Sequence, residues 1–340
     1  MTTPGALTRA EIASQPQVWR SVLTRPRQAA PLDEAHRVVF TGCGSTYYLA
    51  MWAARVAQRR SATPTVAAPA SELLYHADSW LSGDTPTTLV ALSRSGETTE
   101  TLRAVERLRD RLVSVHAVTC ATGNTLADLA DSSVVLDEAA ERSLVQTRSF
   151  TSMLLVAATL AMGGPPQPEE IDALVTGARE LFDEHGTAFE RLATDKSIER
   201  IFFLGGDSRY GLASEAMLKV KEMALAHAEA YHPLEFRHGP MSLVDERSLV
   251  VGLVNPENEG PEVAVLDDMR GLGGRVVALG TTRPSEAELA VPLPQVAAPW
   301  RDVLYLPLLQ SFGCERAIHR GLDPDDPANL DAVVRLDDET

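Results

Sequence analysis

The chain has 340 residues, 44% hydrophobic and 23% charged, which suits roughly two domains of about 150 residues and excludes a disordered or fibrous composition. Its 47 acidic and 31 basic side chains give a formal net charge of −16. That argues against nucleic acid as a partner, which needs a basic face, but not against a small anion held by backbone N–H groups.

Taken in chain order, the first strong signal is Arg37-Val-Val-Phe-Thr-Gly-Cys-Gly44, an apolar run ending in glycine that predicts a buried parallel strand. Ser45 follows as a predicted N-cap, and Leu49, Ala50, Ala53, Ala54 and Ala57 predict the helix behind it. Strands are expected at Pro64 to Ala67, Thr87 to Leu92, Val113 to Thr119 and Ser133 to Asp137, with helices near Thr98 to Arg111 and Leu126 to Ala130. Gly163-Gly164-Pro165-Pro166 predicts a break, and Glu169 to Ala193 a helical connector. Beyond it, Arg200-Ile-Phe-Phe-Leu-Gly-Gly206 predicts another buried strand, and Tyr210 to about Glu229 a helix. Strands at Leu249 to Val254, Arg275 to Leu279 and Ala290 to Leu293, and a helix from Val303 to Arg320, complete the reading. Alternating strands and helices mean parallel sheets covered on both faces.

The two halves resemble each other. At an offset of 203 − 40 = 163, Phe40, Gly42, Ser45, Tyr47, Leu49 and Ala50 meet Phe203, Gly205, Ser208, Tyr210, Leu212 and Ala213. A period this long fits two duplicated domains rather than a solenoid; a chance likeness of two strand–helix turns is the alternative. The expected division is 1–165, a connector at 166–195, and 196–340.

Cys43, Cys120 and Cys314 are widely spaced and offer neither a disulfide framework nor a CxxC metal pair. The polar stretch Met1 to Arg20 lacks an apolar signal-peptide core, and no apolar run reaches about 18 residues. The expectation is a cytoplasmic protein with no membrane partner, no metal and no cofactor.

Ligands of open α/β sheets bind beyond the carboxyl ends of the strands. Two hydroxyl-rich loops are expected there, Gly42-Cys43-Gly44-Ser45-Thr46 and Ser93-Arg94-Ser95-Gly96-Glu97-Thr98, each opening a helix. Helix N-termini offer unpaired N–H donors and partial positive charge. The serines and threonines serve either as helix caps or as an anion site, and their doubling favours the anion. Neither loop is a nucleotide P-loop or a dinucleotide fingerprint.

In the second half, Glu215, Lys219 and Glu222 fall at i, i+4 and i+7 on one helical face. That face is either a solvated salt-bridge stripe or an acid–base cluster. The segment Tyr231 to Pro240 is a loop dense in ionisable groups, with His238 set between Arg237 and Gly239-Pro240. A carboxylate and an imidazole are what aldose–ketose isomerisation requires, one to open the ring and one to move a proton between C1 and C2.

These motifs, with Thr147-Arg-Ser-Phe-Thr151 and His227-Ala-Glu-Ala-Tyr231, resemble the SIS (sugar isomerase) family in its two-domain form over roughly residues 35 to 337. The likeness is to the isomerase half of glucosamine-6-phosphate synthase and its free-standing relatives. It implies an α/β fold of two tandem SIS domains, flavodoxin-like three-layer αβα units with parallel sheets. It also implies that Ser93, Arg94, Ser95 and Thr98 wrap a sugar phosphate, and that Cys43, Gly44, Ser45 and Thr46 line the sugar with Val145 and Gln146 nearby. By the same resemblance Glu222 shuttles the proton, His238 opens the ring from the partner subunit of a homodimer, Lys219 sits beside them, and Glu215 supports the cluster. The synthase has glutamine where Arg94 stands, serine where Gln146 stands, and a sugar-binding lysine where Ala332 stands. No glutaminase segment precedes the likeness, so glutamine is not expected to feed this chain. The reaction expected first is deamination and isomerisation of an aminohexose 6-phosphate. A plain phosphosugar isomerase, a deglycase and a non-catalytic sugar-phosphate sensor follow in that order.

Overall fold

The protein is described by a computed structural model covering residues 3–26, 37–81, 83, 85–284, 286–331 and 333–336. It divides into two compact units, 17–171 with 331–340, and 1–16 with 172–330.

The first unit holds a five-stranded parallel sheet of β1 (Arg37–Gly42), β2 (Thr65–Pro69), β3 (Thr87–Ser93), β4 (Ser114–Thr119) and β5 (Ser132–Val135), in the order β2-β1-β3-β4-β5. Central β3 is buried at every position, as a strand covered on both faces must be. Val39, Leu89, Ala91, Val115 and Ala117 pack with Leu73, Ala104, Val105 and Leu108 from covering helices. Helices Ser45–Arg60 and Arg148–Met162 pack together and complete this unit.

The second unit repeats the winding. Its strands are β6 (Arg200–Gly205), β7 (His227–Tyr231), β8 (Ser248–Leu253), β9 (Arg275–Leu279) and β10 (Leu289–Val291), in the order β10-β9-β8-β6-β7. Read from β7, this is the same 2-1-3-4-5 order, the flavodoxin-like doubly wound arrangement. The offset holds at both ends of the first strand of each sheet, 200 − 37 = 163 and 205 − 42 = 163. Close backbone approach is conserved between the copies too. A Cβ on Gly42 would stand 2.5 Å from Thr46 Oγ1, and one on Gly205 would stand 2.3 Å from the Arg209 carbonyl oxygen. Glycine at each strand end lets the following helix start tightly against the sheet. The expected α/β fold of two parallel sheets with flanking helices is therefore what forms.

Several local expectations change. The helix expected to reach Glu229 ends at Ala224, where Leu225 turns left-handed at φ 47°, and His227–Tyr231 becomes edge strand β7 beside β6. The alanines of His227-Ala-Glu-Ala-Tyr231 read as helical, but pairing with β6 outweighs that weak preference. Ser45 is not an N-cap: Gly44 holds that position, and Thr46 Oγ1 instead accepts the Cys43 N–H at 2.9 Å. Ser208 does occupy the cap position but its side chain makes no capping bond. Helices Ala6–Thr24, Arg148–Met162 and Glu259–Gly271 were not expected at all. No helix among the described residues is long and apolar enough to cross a membrane.

Candidate active site

The first unit places both hydroxyl-rich loops at the carboxyl ends of neighbouring strands β1 and β3. In the loop after β1, Thr46 Oγ1 accepts from Cys43 N and donates to Cys43 O, both at 2.9 Å, so this hydroxyl fixes the turn. Gly44 is exposed at φ 55°, a conformation glycine adopts without strain. Burial pushes the Cys43 thiol up to about 11, against a lowering contact from Thr101. Cys43 is thus a neutral thiol near pH 7.

The loop after β3 is tied from within. Ser93 Oγ accepts the Gly96 N–H and Ser95 Oγ accepts the Glu97 N–H, each at 3.1 Å. A hydroxyl used as an acceptor keeps its own proton to donate. Ser93 is buried; Ser95 and Thr98 are half-buried at the N-terminus of helix Thr99–Leu108, and Thr98 makes no side-chain capping bond. Gly96 sits at φ 69° so close to Asn124 that an added Cβ would lie 1.9 Å from Oδ1. Asn124 in turn caps helix Thr125–Leu129 through Ala127 N at 2.9 Å. Glu97 braces that helix start, accepting from Thr125 N at 2.7 Å and Thr125 Oγ1 at 2.9 Å. The C-terminal tail reaches the same place: Thr99 N donates to Val334 O at 3.4 Å, and Leu336 N to Thr99 Oγ1 at 3.3 Å. Position 332, where the synthase has its sugar-binding lysine and this chain has alanine, lies outside the described residues.

Arg94 takes an unexpected direction. Its Nη1 donates to Leu144 O at 2.8 Å and Ser143 O at 3.3 Å, and lies 3.9 Å from Glu141 Oε2. Glu141, whose side chain is fully buried, accepts from Thr147 N at 2.8 Å, from Thr147 Oγ1 at 2.6 Å and from Ser149 Oγ. Ser143 Oγ donates to Val145 O at 3.0 Å. Val145 is buried, and the Gln146 side-chain oxygen is buried with no hydrogen-bond partner among the described residues.

In the second unit, Glu215, Lys219 and Glu222 come together on helix Arg209–Ala224. Lys219 Nζ lies 2.5 Å from Glu222 Oε2 and 3.3 Å from Glu215 Oε1. The side chains of Lys219 and Glu215 are 1% and 0% exposed, and that of Glu222 is 18% exposed. A solvated stripe is therefore ruled out. Burial by itself would lower Lys219, but its two carboxylate partners outweigh burial and raise it above the usual lysine range. The two carboxylates thus favour the charged ammonium. His238 stands exposed in the turn between the short helix Pro233–Phe236 and Pro240, its N–H donating to Glu235 O at 2.9 Å. No hydrogen bond or ion pair among the described residues joins its ring to the Lys219 cluster.

The residues that sequence reasoning missed are supports. Glu141 holds Thr147 and Ser149, Asn124 caps helix Thr125–Leu129, and Glu97 reaches across to Thr125.

A SIS domain family model matches residues 32–163 and 196–288. Glutamine–fructose-6-phosphate aminotransferase (isomerizing) of Pyrobaculum aerophilum is 30% identical over 346 residues, covering 96% of this chain and 57% of that protein. The chain thus spans a little over half the length of such relatives. A crystal structure of glucosamine-6-phosphate deaminase from Thermotoga maritima superposes with TM-score 0.81 and 28% identity, covering 97% of this chain and 100% of that one. Tagatose-6-phosphate ketose/aldose isomerase from Escherichia coli superposes with TM-score 0.82 over 96% and 98% of the two chains; at 24% identity it speaks to fold alone.

Proposed function

This chain belongs to the SIS domain family, and from that premise we propose that it is a phosphosugar enzyme that opens an aminohexose 6-phosphate, moves a proton between C1 and C2, and releases ammonia. The observation that carries the reading is the Lys219 cluster. Two carboxylates share one buried ammonium, and only Glu222 reaches solvent. Such a carboxylate is oriented to shuttle a proton between adjacent carbons. Lys219, held charged, fixes that carboxylate and can steady negative charge that develops on the substrate. His238 serves ring opening. Ser95 and Thr98, with the N-terminus of helix Thr99–Leu108, hold the phosphate. Cys43, Gly44, Ser45 and Thr46 form the wall for the sugar.

Deamination needs no protein amine. The substrate's own nitrogen becomes a ketimine once the proton has moved from C2 to C1. Water adds to the ketimine carbon, ammonia departs, and a ketose 6-phosphate remains. The likeness to a deaminase at 28% identity over 97% of this chain is consistent with this reaction. We further propose a homodimer in which His238 serves the partner's Glu222.

The test is a panel. Glucosamine 6-phosphate is supplied while ammonia and fructose 6-phosphate are followed, beside unaminated hexose 6-phosphates and an N-substituted fructosamine 6-phosphate. Ammonia release that disappears in Glu222→Gln supports the reading. Turnover of the unaminated sugars alone replaces it with plain isomerisation, and turnover of the N-substituted adduct alone replaces it with deglycation. Tight binding with no turnover of anything makes the chain a sensor.

A further inference from the structure

We infer that Arg94 is a positioning residue acting through the 141–149 segment, rather than a ligand of the phosphate beside it; this rests on the reading of Ser93 to Thr98 as the phosphate loop. Its position in Ser93-Arg94-Ser95 puts its backbone in that loop, yet its guanidinium turns to the chain before helix Arg148–Met162. There it donates to two successive carbonyls, Ser143 O at 3.3 Å and Leu144 O at 2.8 Å. Carbonyl oxygens compete directly with a phosphate for the same N–H groups. The segment is also gripped from its other side. Glu141, 3.9 Å from the same Nη1, accepts from Thr147 N and Oγ1 and from Ser149 Oγ. Residues 143–147 are thereby clamped at both ends by one ion pair.

The clamped segment carries Gln146, whose side-chain oxygen is buried with no partner among the described residues. A buried acceptor left unpaired costs free energy unless something donates to it. The structure therefore gives Arg94 a purpose. It sets the height of this segment above the phosphate loop, and with it the place where Gln146 meets a donor on the sugar, a hydroxyl or an amine. Binding of phosphate and selection of the sugar are joined through a single side chain.

Three variants test this, Arg94→Gln, Arg94→Lys and Glu141→Gln, each checked for folding by circular dichroism and compared with Ser95→Ala. Inorganic phosphate and glucosamine 6-phosphate are titrated by calorimetry. The expected result is that Arg94→Gln and Glu141→Gln bind inorganic phosphate within about two-fold of the unaltered protein but lose roughly ten-fold or more for the sugar phosphate. Their double variant should lose no more than either alone, because both act on one segment. Arg94→Lys should fail to rescue sugar-phosphate binding, since the shorter lysine side chain ends before the Nη1 position that donates to both carbonyls. The inference is overturned if Arg94→Gln loses inorganic phosphate as strongly as Ser95→Ala, if Arg94→Lys binds the sugar phosphate as the unaltered protein does, or if Glu141→Gln leaves sugar binding unchanged. Failure of the unaltered protein to bind any hexose 6-phosphate would instead sink the phosphate-loop reading, and so separates the two.

Discussion

Lys219 sits three residues before Glu222 on one helix, with its Nζ 2.5 Å from Glu222 Oε2 in an almost sealed environment. A pair of this kind stands or falls as a unit, because either charge alone would be buried without compensation. Glu215 adds a second carboxylate that no solvent reaches.

Lys219→Met should therefore cost about 3–5 kcal/mol of folding stability, the range for removing one member of a buried ion pair. It should also abolish turnover, because Glu222 would lose the partner that orients it. Urea unfolding read beside the steady-state rate checks both. A variant as stable as the unaltered protein would show that the buried pair contributes nothing net.

Glu222→Gln separates chemistry from packing. The amide keeps the shape and can still accept from Lys219, so folding should change little. The rate should fall by about 10²–10⁴, the contribution expected of a positioned general base or acid. Substrate affinity should stay within a few-fold. An equal loss in KM and kcat would move Glu222 from proton transfer to binding.

Gly96 carries the geometry of the proposed phosphate loop. Gly96→Ala would add a Cβ 1.9 Å from Asn124 Oδ1, at φ 69°, where an L side chain is already strained. Asn124 must move, and helix Thr125–Leu129 then loses its cap at Ala127 N. The strain alone is about 1–2 kcal/mol, and a lost cap adds about 1 kcal/mol. Thermal unfolding should show the sum, and phosphate binding should weaken with it. Unchanged phosphate affinity would mean the loop's backbone does not shape the anion site.

Asp195 gives a pH-dependent prediction away from the site. It follows helix Pro168–Thr194, and Ser197 and Arg275 hold its carboxyl down to about 2, with Ser197 the larger cause. Its ordinary value is 3.8. A depressed carboxyl pKa adds stability that is complete above the ordinary value and is lost as pH falls through the depressed one. Asp195→Asn should accordingly be less stable than the unaltered protein near pH 6, and the gap should close between pH 3.8 and about 2. Melting curves across that range check it; a gap that stays constant with pH would show that Asp195 acts through shape alone.

Much of this was legible in the sequence for identifiable reasons. The strands β1 and β6 are short apolar runs ending in glycine, and their shared offset survives unchanged in the structure. The hydroxyl loop after β3 announced itself by composition and by its place before a helix. What stayed hidden lacks local periodicity. Helix Arg148–Met162 is buried nearly all round, so it shows no amphipathic stripe to read. Helix Ala6–Thr24 carries Pro16 inside it, which reads as a break. The direction of Arg94 depends on Glu141, Ser143 and Leu144, which reach it only through tertiary packing. The lobes also diverge where sequence is silent. The loop after β8 has Asn255-Pro256-Glu257-Asn258 where β3 is followed by hydroxyls, and Glu262 fills that strand end by accepting from Asn255 N at 2.6 Å. One copy leaves hydroxyls at this strand end, where the anion is proposed to bind, and the other supplies its own carboxylate.

His238 supports the last prediction. It is exposed, it is followed by Gly239 at φ 130° and by Pro240, which fix the course of its turn, and no hydrogen bond or ion pair among the described residues ties its ring to Glu222. If His238 serves the partner's Glu222 in the proposed homodimer, each single variant, Glu222→Gln or His238→Ala, spoils both sites of its own dimer. A mixed dimer would keep one site intact, since the contact is reciprocal across a two-fold axis. Random exchange of equal amounts makes half the dimers mixed, each with one working site of two. Co-refolding the two inactive variants should then recover about a quarter of the unaltered activity. The mixed species can be isolated with two different affinity tags and assayed directly. A purified mixed dimer as inactive as its parents would show that His238 and Glu222 do not meet across subunits.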